Sequence, residues 1–397
     1  MWFSLSPRPT PTRIGAIVDV GDSKIEVALV RSDKSKLEPN VVWTHVELFA
    51  HDRNSDTTTA LRKAVLNSFA ALGREGVKVL KQLNLPTEIS LVQASLHAPY
   101  ALTLSRTVTL KNEKPIKVTR ALVKELEDKA NTDALKIQSS KLVRSGLKLY
   151  PLSSAITALR LNGQKNKYPF NSSATEVSLS QHVVLSTFDF VGILKDARDK
   201  YLPKTEIDAD SFISLFCRTV SALVPNVSDC SLLTIGDGAT EFMVVRDGLP
   251  QDMYYIPMGL DHIANEICRA TGLLPHEAKG LTKDNAVDYV LLQTKDKKTA
   301  ADGVLSLFEK ELMSLLSKAG DSLSLPKPIF LQTECDHEMF FANMVDRVSK
   351  KVTGTKHTVH PITSEFFACR DVKDASLLSL AFAFHKKLYK DHYLDLR

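Results

Sequence analysis

The sequence predicts an α/β protein of two related halves facing a shared cleft, with a small α+β module inserted in the first half. Residues 231–245 read as an apolar strand, a turn at Gly236-Asp237-Gly238, and a second apolar strand. Residues 14–30 repeat that grammar, with Asp19 near the end of the first strand and Gly21, Asp22, Ser23 and Lys24 at the turn. Distant copies of one hairpin fit two half-domains that each offer a turn to a common cleft. Glycine lets the backbone approach a ligand closely, and exposed N–H groups with the Thr240 hydroxyl suit a phosphate.

Element order supports the same division. Residues 40–50 alternate as a third strand, with Val42, Thr44, Val46 and Leu48 on one face. A helix over 57–82, long or kinked at Gly73 and Gly76, and a strand at 88–94 complete a β-β-β-α-β order. Residues 96–186 then form the inserted module: a strand at 102–110, a polar turn from Lys111 to Pro115, a helix at 118–130 and strands at 154–161 and 175–186. Amphipathic helices at 188–201 and 210–223, linked by 203–208, return to the first half, which comprises 13–95 and 187–228.

The second half spans 229–374. After its hairpin come a strand at 253–256 and a turn through Gly259 into a helix facing Ile263, Ile267 and Ala270 inward. Residues 285–325 are helical, with Val304, Leu307, Phe308, Leu312, Leu315 and Leu316 as a core stripe. A strand at 329–333 leaves this half, and a helix at 375–389, within the closing segment 375–397, packs back on the first.

Composition narrows the functional classes. The 397 residues are 44% hydrophobic and 24% charged, ordinary for a soluble globular protein of two or more domains. The 51 Lys and Arg against 46 Asp and Glu leave +5, spread along the chain, so nucleic acid is not implied. The 5 cysteines show no C-x-x-C spacing and read as buried thiols in a reducing cytosol. No apolar run approaches the roughly 18–20 residues of a membrane span. Residues 1–12 read as a flexible, proline-rich tail carrying Trp2, Phe3 and Leu5.

With its two hairpins, this chain resembles the actin-like (ribonuclease H-like) ATPase superfamily, and within it the bacterial FtsA and PilM types. Lys117-Val118-Thr119 opening a helix, Arg160-Leu161-Asn162-Gly163, Pro169 and Ser180-Gln181-His182-Val183-Val184 resemble the SHS2-type subdomain of those proteins, and the last set leans to FtsA. The resemblance implies ATP and Mg²⁺ in the cleft. Asp19 would lie near the metal. Gly21, Asp22, Ser23, Lys24, Gly236, Asp237, Gly238, Ala239 and Thr240 would hold the phosphates, and Gly259 would form the turn before the helix. Pro275-His276-Glu277-Ala278-Lys279 resembles the family helix that places an acid and a base by the nucleoside, although Glu277 and Lys279 read equally as solvated helix charges.

The chain also departs from that family. Thr234 stands where the second phosphate loop opens on a carboxylate, Leu260 replaces a second glycine, and Glu334-Cys335 replace the glycine pair against which adenosine lies. Slow or absent hydrolysis follows. A metal site at Glu334, Cys335, Asp336, His337 and Glu338 would want ligands from a second cluster, which the sequence does not offer.

Three roles remain open from sequence. One is an FtsA-like division scaffold that self-associates, recruits partners such as an FtsZ-like protein, and sits in the cytoplasm peripheral to the inner face of the membrane. The second is a PilM-like platform binding cytoplasmic tails of membrane proteins, its own membrane contact indirect, and the third is a small-molecule kinase. No base aimed at a substrate hydroxyl recommends the kinase.

Overall fold

The computed structural model describes residues 12–36, 38–49, 57–142, 148–166, 169–284, 294–319, 325–367, 372 and 374–389. The expected tail with Trp2 and Phe3, and Cys369, lie outside the described residues, as do 285–293 and 320–324 of the expected long helix.

The first sheet begins with β1 (Arg13–Val20), β2 (Lys24–Ser32) and β3 (Asn40–Leu48), an antiparallel meander. A helix follows as α1 (Thr57–Ala71), a π-helical turn (Leu72–Gly76) and α2 (Val77–Gln82). The turn holds both glycines suspected of kinking it; a Cβ on Gly76 would press on Leu29 and Trp43, so the helix meets the sheet closely there. β4 (Ile89–Leu96) then runs parallel to β1.

The inserted module is a sheet of β5 (Ala101–Lys117), β6 (Tyr150–Leu161), β7 (Gln164–Lys165) and β8 (Ser173–Ser186), in the order β5-β8-β6-β7. Its helix, α3 (Arg120–Leu142), runs further than the sequence pattern suggested. Val123, Leu126 and Ala130 of α3 bury against Val108, Leu159, Val177 and Leu179, a separate small core.

The chain returns through α4 (Phe190–Tyr201) and α5 (Phe212–Leu223). Between them the structure corrects the sequence reading. The segment taken as a link is largely β9 (Glu206–Ser211), a parallel strand on β4. Glu-Ile-Asp-Ala-Asp-Ser carries too few apolar residues to signal a strand, because two of its three buried residues are polar and find distant partners: Asp210 meets Ser153 and Arg218, and Ser211 meets Thr103.

The second sheet comprises β10 (Cys230–Ile235), β11 (Thr240–Arg246), β12 (Leu249–Ile256), β13 (Pro328–Thr333) and β14 (Thr358–Pro361). Its order, β12-β11-β10-β13-β14, matches β3-β2-β1-β4-β9 strand for strand. In both, a three-strand antiparallel meander is followed by two parallel strands. Helices α6 (Leu260–Thr271), α7 (Pro275–Gly280), α8 (Lys295–Lys318) and α9 (Glu338–Thr353) belong to this half. Phe308, Leu312, Leu315 and Leu316 of the expected stripe are buried in its core, whereas Leu307 is 48% exposed.

The two sheets share a third core. α5 and α10 (Ala375–Tyr389) lie in it, with Phe212, Phe216, Leu380 and Phe384 meeting Ile17 and Ala28 of the first sheet and Leu232 and Met243 of the second. α10 packs closely on Gly15, where a Cβ would overlap the edge of the Phe384 ring. This packing brings the β1–β2 and β10–β11 turns face to face.

Candidate functional site

Each turn is closed by its own backbone. Gly21 N–H donates to Lys24 O and Gly236 N–H to Ala239 O, both at 3.0 Å. The turns approach so nearly that a Cβ on Gly238 would sit 2.7 Å from Asp22 Oδ2. Tyr100 OH donates to the other carboxylate oxygen of Asp22 at 2.7 Å, and burial first, then this bond to Asp22, holds the phenol proton well above its ordinary range.

Gly259 is the tightest fit in the site. A side chain there would collide with Gly236 O, Asp237 O and Ala239 N. That closeness lets Leu260 N–H and Asp261 N–H donate to Gly236 O and Asp237 O at 2.9 and 3.0 Å. The first donors of α6, which a helix start leaves for an anion, are therefore taken by the turn itself. Thr240 points away from the cleft and donates to Met258 O at 2.8 Å. Ala239 is buried, and Ser23 contributes its carbonyl to Phe49 N–H at 3.0 Å.

The lysines are also engaged. Lys279 Nζ lies 2.7 Å from Glu334, 3.2 Å from Asp261 and 3.4 Å from Asp237. Lys24 Nζ lies 3.3 Å from Glu26 and 4.0 Å from Glu334, so Glu334 is shared between a lysine from each half. Burial opposes the charge on Lys279, but Asp237 and Glu334 outweigh it and raise its pKa. Burial pushes Glu334 the other way, and Lys279 overrides it to leave that carboxyl below the usual range. Asp237 stays raised because burial exceeds the help from Lys279, which marks Glu334 as the principal partner. Glu277, expected near the nucleoside, instead caps its own helix by accepting Leu274 N–H at 2.8 Å.

Asp19 is buried, and its Oδ1 accepts from the Ser95 hydroxyl and lies 2.9 Å from His97 Nε2. His97 stacks on Phe212 with ring centroids 4.2 Å apart. Burial lowers the His97 pKa, but the Asp19 carboxylate outweighs it and raises that pKa, which favours the charged imidazole behind the first turn. Glu241, on β11, is 2% exposed and reaches the same place: Ala98 N–H donates to it, and the Thr234 hydroxyl lies 3.5 Å away. Ser95, His97, Glu241, Glu26 and Asp374 were not singled out from sequence. Only Glu241, a carboxylate within an apolar strand, left a signal there.

Does the site fit ATP and Mg²⁺? The cleft between the turns has a volume of about 60 Å³, against the few hundred of a small-molecule site. Its walls carry Asp19, Asp22, Asp237, Glu334 and Asp374 against Lys24 and His97, an unfavourable field for a triphosphate. Among the described residues, no group of three or more His, Cys, Asp or Glu is arranged to hold a metal ion. The residues as arranged do not fit the nucleotide.

Two of the buried carboxyls give the fold a pH dependence. Burial pushes Glu241 up to about 7, and burial together with Asp374 pushes Glu26 up to about 8, from an ordinary 4.5. Between about pH 4.5 and 8 the folded chain keeps protons that the unfolded chain has released. The stability these groups contribute is whole below that window and is lost as pH rises through it. His97, raised by Asp19, extends the loss above pH 6.5. Burial lowers the pKa values of His182, His337 and His385, which offsets part of that loss below pH 6.5, so denaturant titrations should show the fall, on the order of 1–3 kcal/mol, between about pH 6.5 and 8. Glu241→Gln should flatten the slope.

No protein-family model matches the chain, and no curated protein matches it significantly. Solved structures do. A chain of a PilM-PilN type IV pilus biogenesis complex superposes at a TM-score of 0.58 with 12% identity, over 96% of this chain and 100% of that one. A diol dehydratase-reactivating factor in nucleotide-free form is similar at a TM-score of 0.47 and 8% identity, over 96% and 100%. Ethanolamine utilization protein EutJ from Carboxydothermus hydrogenoformans gives 0.45 and 11%, over 96% and 92%. This chain has the actin-like ATPase fold in a divergent form that resembles PilM along nearly its whole length.

Proposed function

We propose that this protein is a non-hydrolysing actin-fold scaffold, a cytoplasmic platform that binds the tail of a membrane protein as a PilM-type component of pilus assembly. The carrying observation is the ion cluster across the cleft. Glu334 lies between Lys24 and Lys279, the cations a phosphate would need, and Asp237 and Asp261 also hold Lys279, while Glu26 beside Lys24 keeps its proton up to about pH 8. Thr234 adds a second obstacle to turnover. An aimed electrostatic group of the kind the superfamily carries there is worth about two to three orders of magnitude in rate, and Glu241, the nearest carboxylate on β11, is directed instead to Ala98 and His97.

The platform reading draws its support from the PilM-PilN likeness over the full length of that chain. On the described residues, no helix is long and apolar enough to cross a membrane, so a partner supplies the membrane contact in this proposal. The inserted module suits a mechanical role, because it touches both halves: β5 and β6 pack near β12, with Lys165 Nζ 3.0 Å from Asp247. The residues that lean towards FtsA have structural duties here, Gln181 donating to Asn131 at 2.6 Å and His182 bonding Ser105 at 2.9 Å.

Binding of the purified chain to two fluorescent peptide sets separates the roles. One set comprises the cytoplasmic segments of the host's inner-membrane pilus proteins, and the other the C-terminal tail of its FtsZ-like protein. Capture of a pilus segment is the expected result. Capture of the FtsZ-like tail alone would transfer the protein to division.

A further inference from the structure

We propose that β3 is a self-association edge: two copies of this chain join their first sheets antiparallel through β3, about a two-fold axis at Val46. The inference is independent of what the cleft binds.

The other sheet edges are short, covered or blunted: β5, the longest, carries Lys111, Lys114, Pro115 and Lys117 and an irregular register between Lys111 and Ile116. β12 is met by the inserted module, where the Ser105 hydroxyl donates to Gln251 O. β9 lies against β5 and β6, β7 has 2 residues, and β14 has 4 and ends at Pro361. β3 has 9 residues, and among the described residues no strand pairs with its outer edge. Open edges are usually blunted with lysine, proline, a bulge or a cover. Asn40–Leu48 contains neither lysine nor proline. It does carry a bulge, the extra residue Val42 opposite the Leu29–Val30 step of β2, which leaves Trp43 to Leu48 regular.

The hydrogen-bond parity of that regular part is fixed. Phe49 N–H donates to Ser23 O at 3.0 Å, so Phe49, Glu47, His45 and Trp43 turn their main-chain groups toward β2. Thr44, Val46 and Leu48 turn theirs outward. On the same strand Val46 is 49% and Leu48 76% exposed, large values for apolar side chains. An edge that offers both unpaired main-chain groups and apolar side chains calls for another strand.

The sequence makes β3 its own complement. With the axis at Val46, Val46 meets Val46 of the second copy, Thr44 meets Leu48 and His45 meets Glu47, each pair twice. All the outward main-chain groups then fall opposite one another, as antiparallel pairing requires. His45 Nε2 and Glu47 Oε2 are 3.7 Å apart within one strand, with side chains about a quarter exposed, so both can be shared across the axis. A slip by one residue would set outward main-chain groups against inward ones, so the register is specified.

Sedimentation velocity of the full chain over a range of concentrations tests this. The expected result is a concentration-dependent monomer–dimer equilibrium. Val46→Lys sets like charges opposite each other at the axis and should weaken the dimer by on the order of tenfold or more. Glu47→Lys should also weaken it, while His45→Glu combined with Glu47→Lys should recover it, because opposite charges again face each other. Melting temperatures report whether each variant is folded, and Leu48→Lys substitutes if Val46→Lys is not. A protein monomeric up to high micromolar concentration overturns the inference. So does a dimer indifferent to a folded Val46→Lys or Leu48→Lys variant, or a charge exchange that fails to recover the Glu47→Lys loss.

Discussion

Gly259→Ala should destabilise the protein by about 3 kcal/mol or more, near the upper end for single substitutions. Its Cβ would overlap Gly236 O, Asp237 O and Ala239 N, which are backbone atoms that cannot swing aside as a flexible side chain can. Relief would push α6 off the second turn and break the Leu260 and Asp261 N–H bonds to that turn. Gly303→Ala provides the contrast. Gly303 lies inside α8 with nothing within 4 Å of its would-be Cβ, so alanine should add about 0.5–1 kcal/mol by lowering the backbone entropy lost on folding. Urea titrations of both variants should thus move in opposite directions. A tolerated Gly259→Ala would mean that the helix start and the turn are not packed as described.

The second large effect concerns Glu334 and Cys335. Glu334 holds Lys279 at 2.7 Å and draws Lys24 to 4.0 Å, so it neutralises one cation from each half of the cleft. Replacing both residues with glycine removes that carboxylate, releases the two lysines toward the turns and lowers the wall where an adenosine would lie. Mg-ATP affinity should rise at least about tenfold, the equivalent of about 1.4 kcal/mol, a modest demand for releasing partly screened charges. Lys279 and Glu334 have side chains 25% and 35% exposed, which is why a larger gain is not expected. Calorimetry at matched ionic strength reads the change directly.

Much of the fold was legible because glycine and apolar periodicity mark hairpins locally. The β1–β2 and β10–β11 turns stand where Gly21 and the Gly236-Asp237-Gly238 run placed them. The buried Phe308, Leu312, Leu315 and Leu316 followed from helical spacing. β9 was not legible, since its buried Asp210 and Ser211 are satisfied by partners distant in sequence that only tertiary structure supplies. The site was half legible. Residue types at the turns suggested a phosphate cradle, but whether donors are free is a matter of partners distant in sequence. Lys24, Lys279 and Glu334 meet across hundreds of residues, and the Asp19–His97 pair depends on β4 lying parallel to β1. Glu277 shows the local alternative prevailing: at the third position of α7 a glutamate satisfies the backbone of its own helix start.

A cleft sealed by its own charges should leave Mg-ATP unbound. Isothermal titration of the wild-type chain with Mg-ATP at neutral pH should therefore give no saturable heat up to millimolar nucleotide and no change in melting temperature. Micromolar binding by the wild type would contradict this, because the cluster of Lys24, Lys279 and Glu334 would then have to open for the nucleotide at little cost.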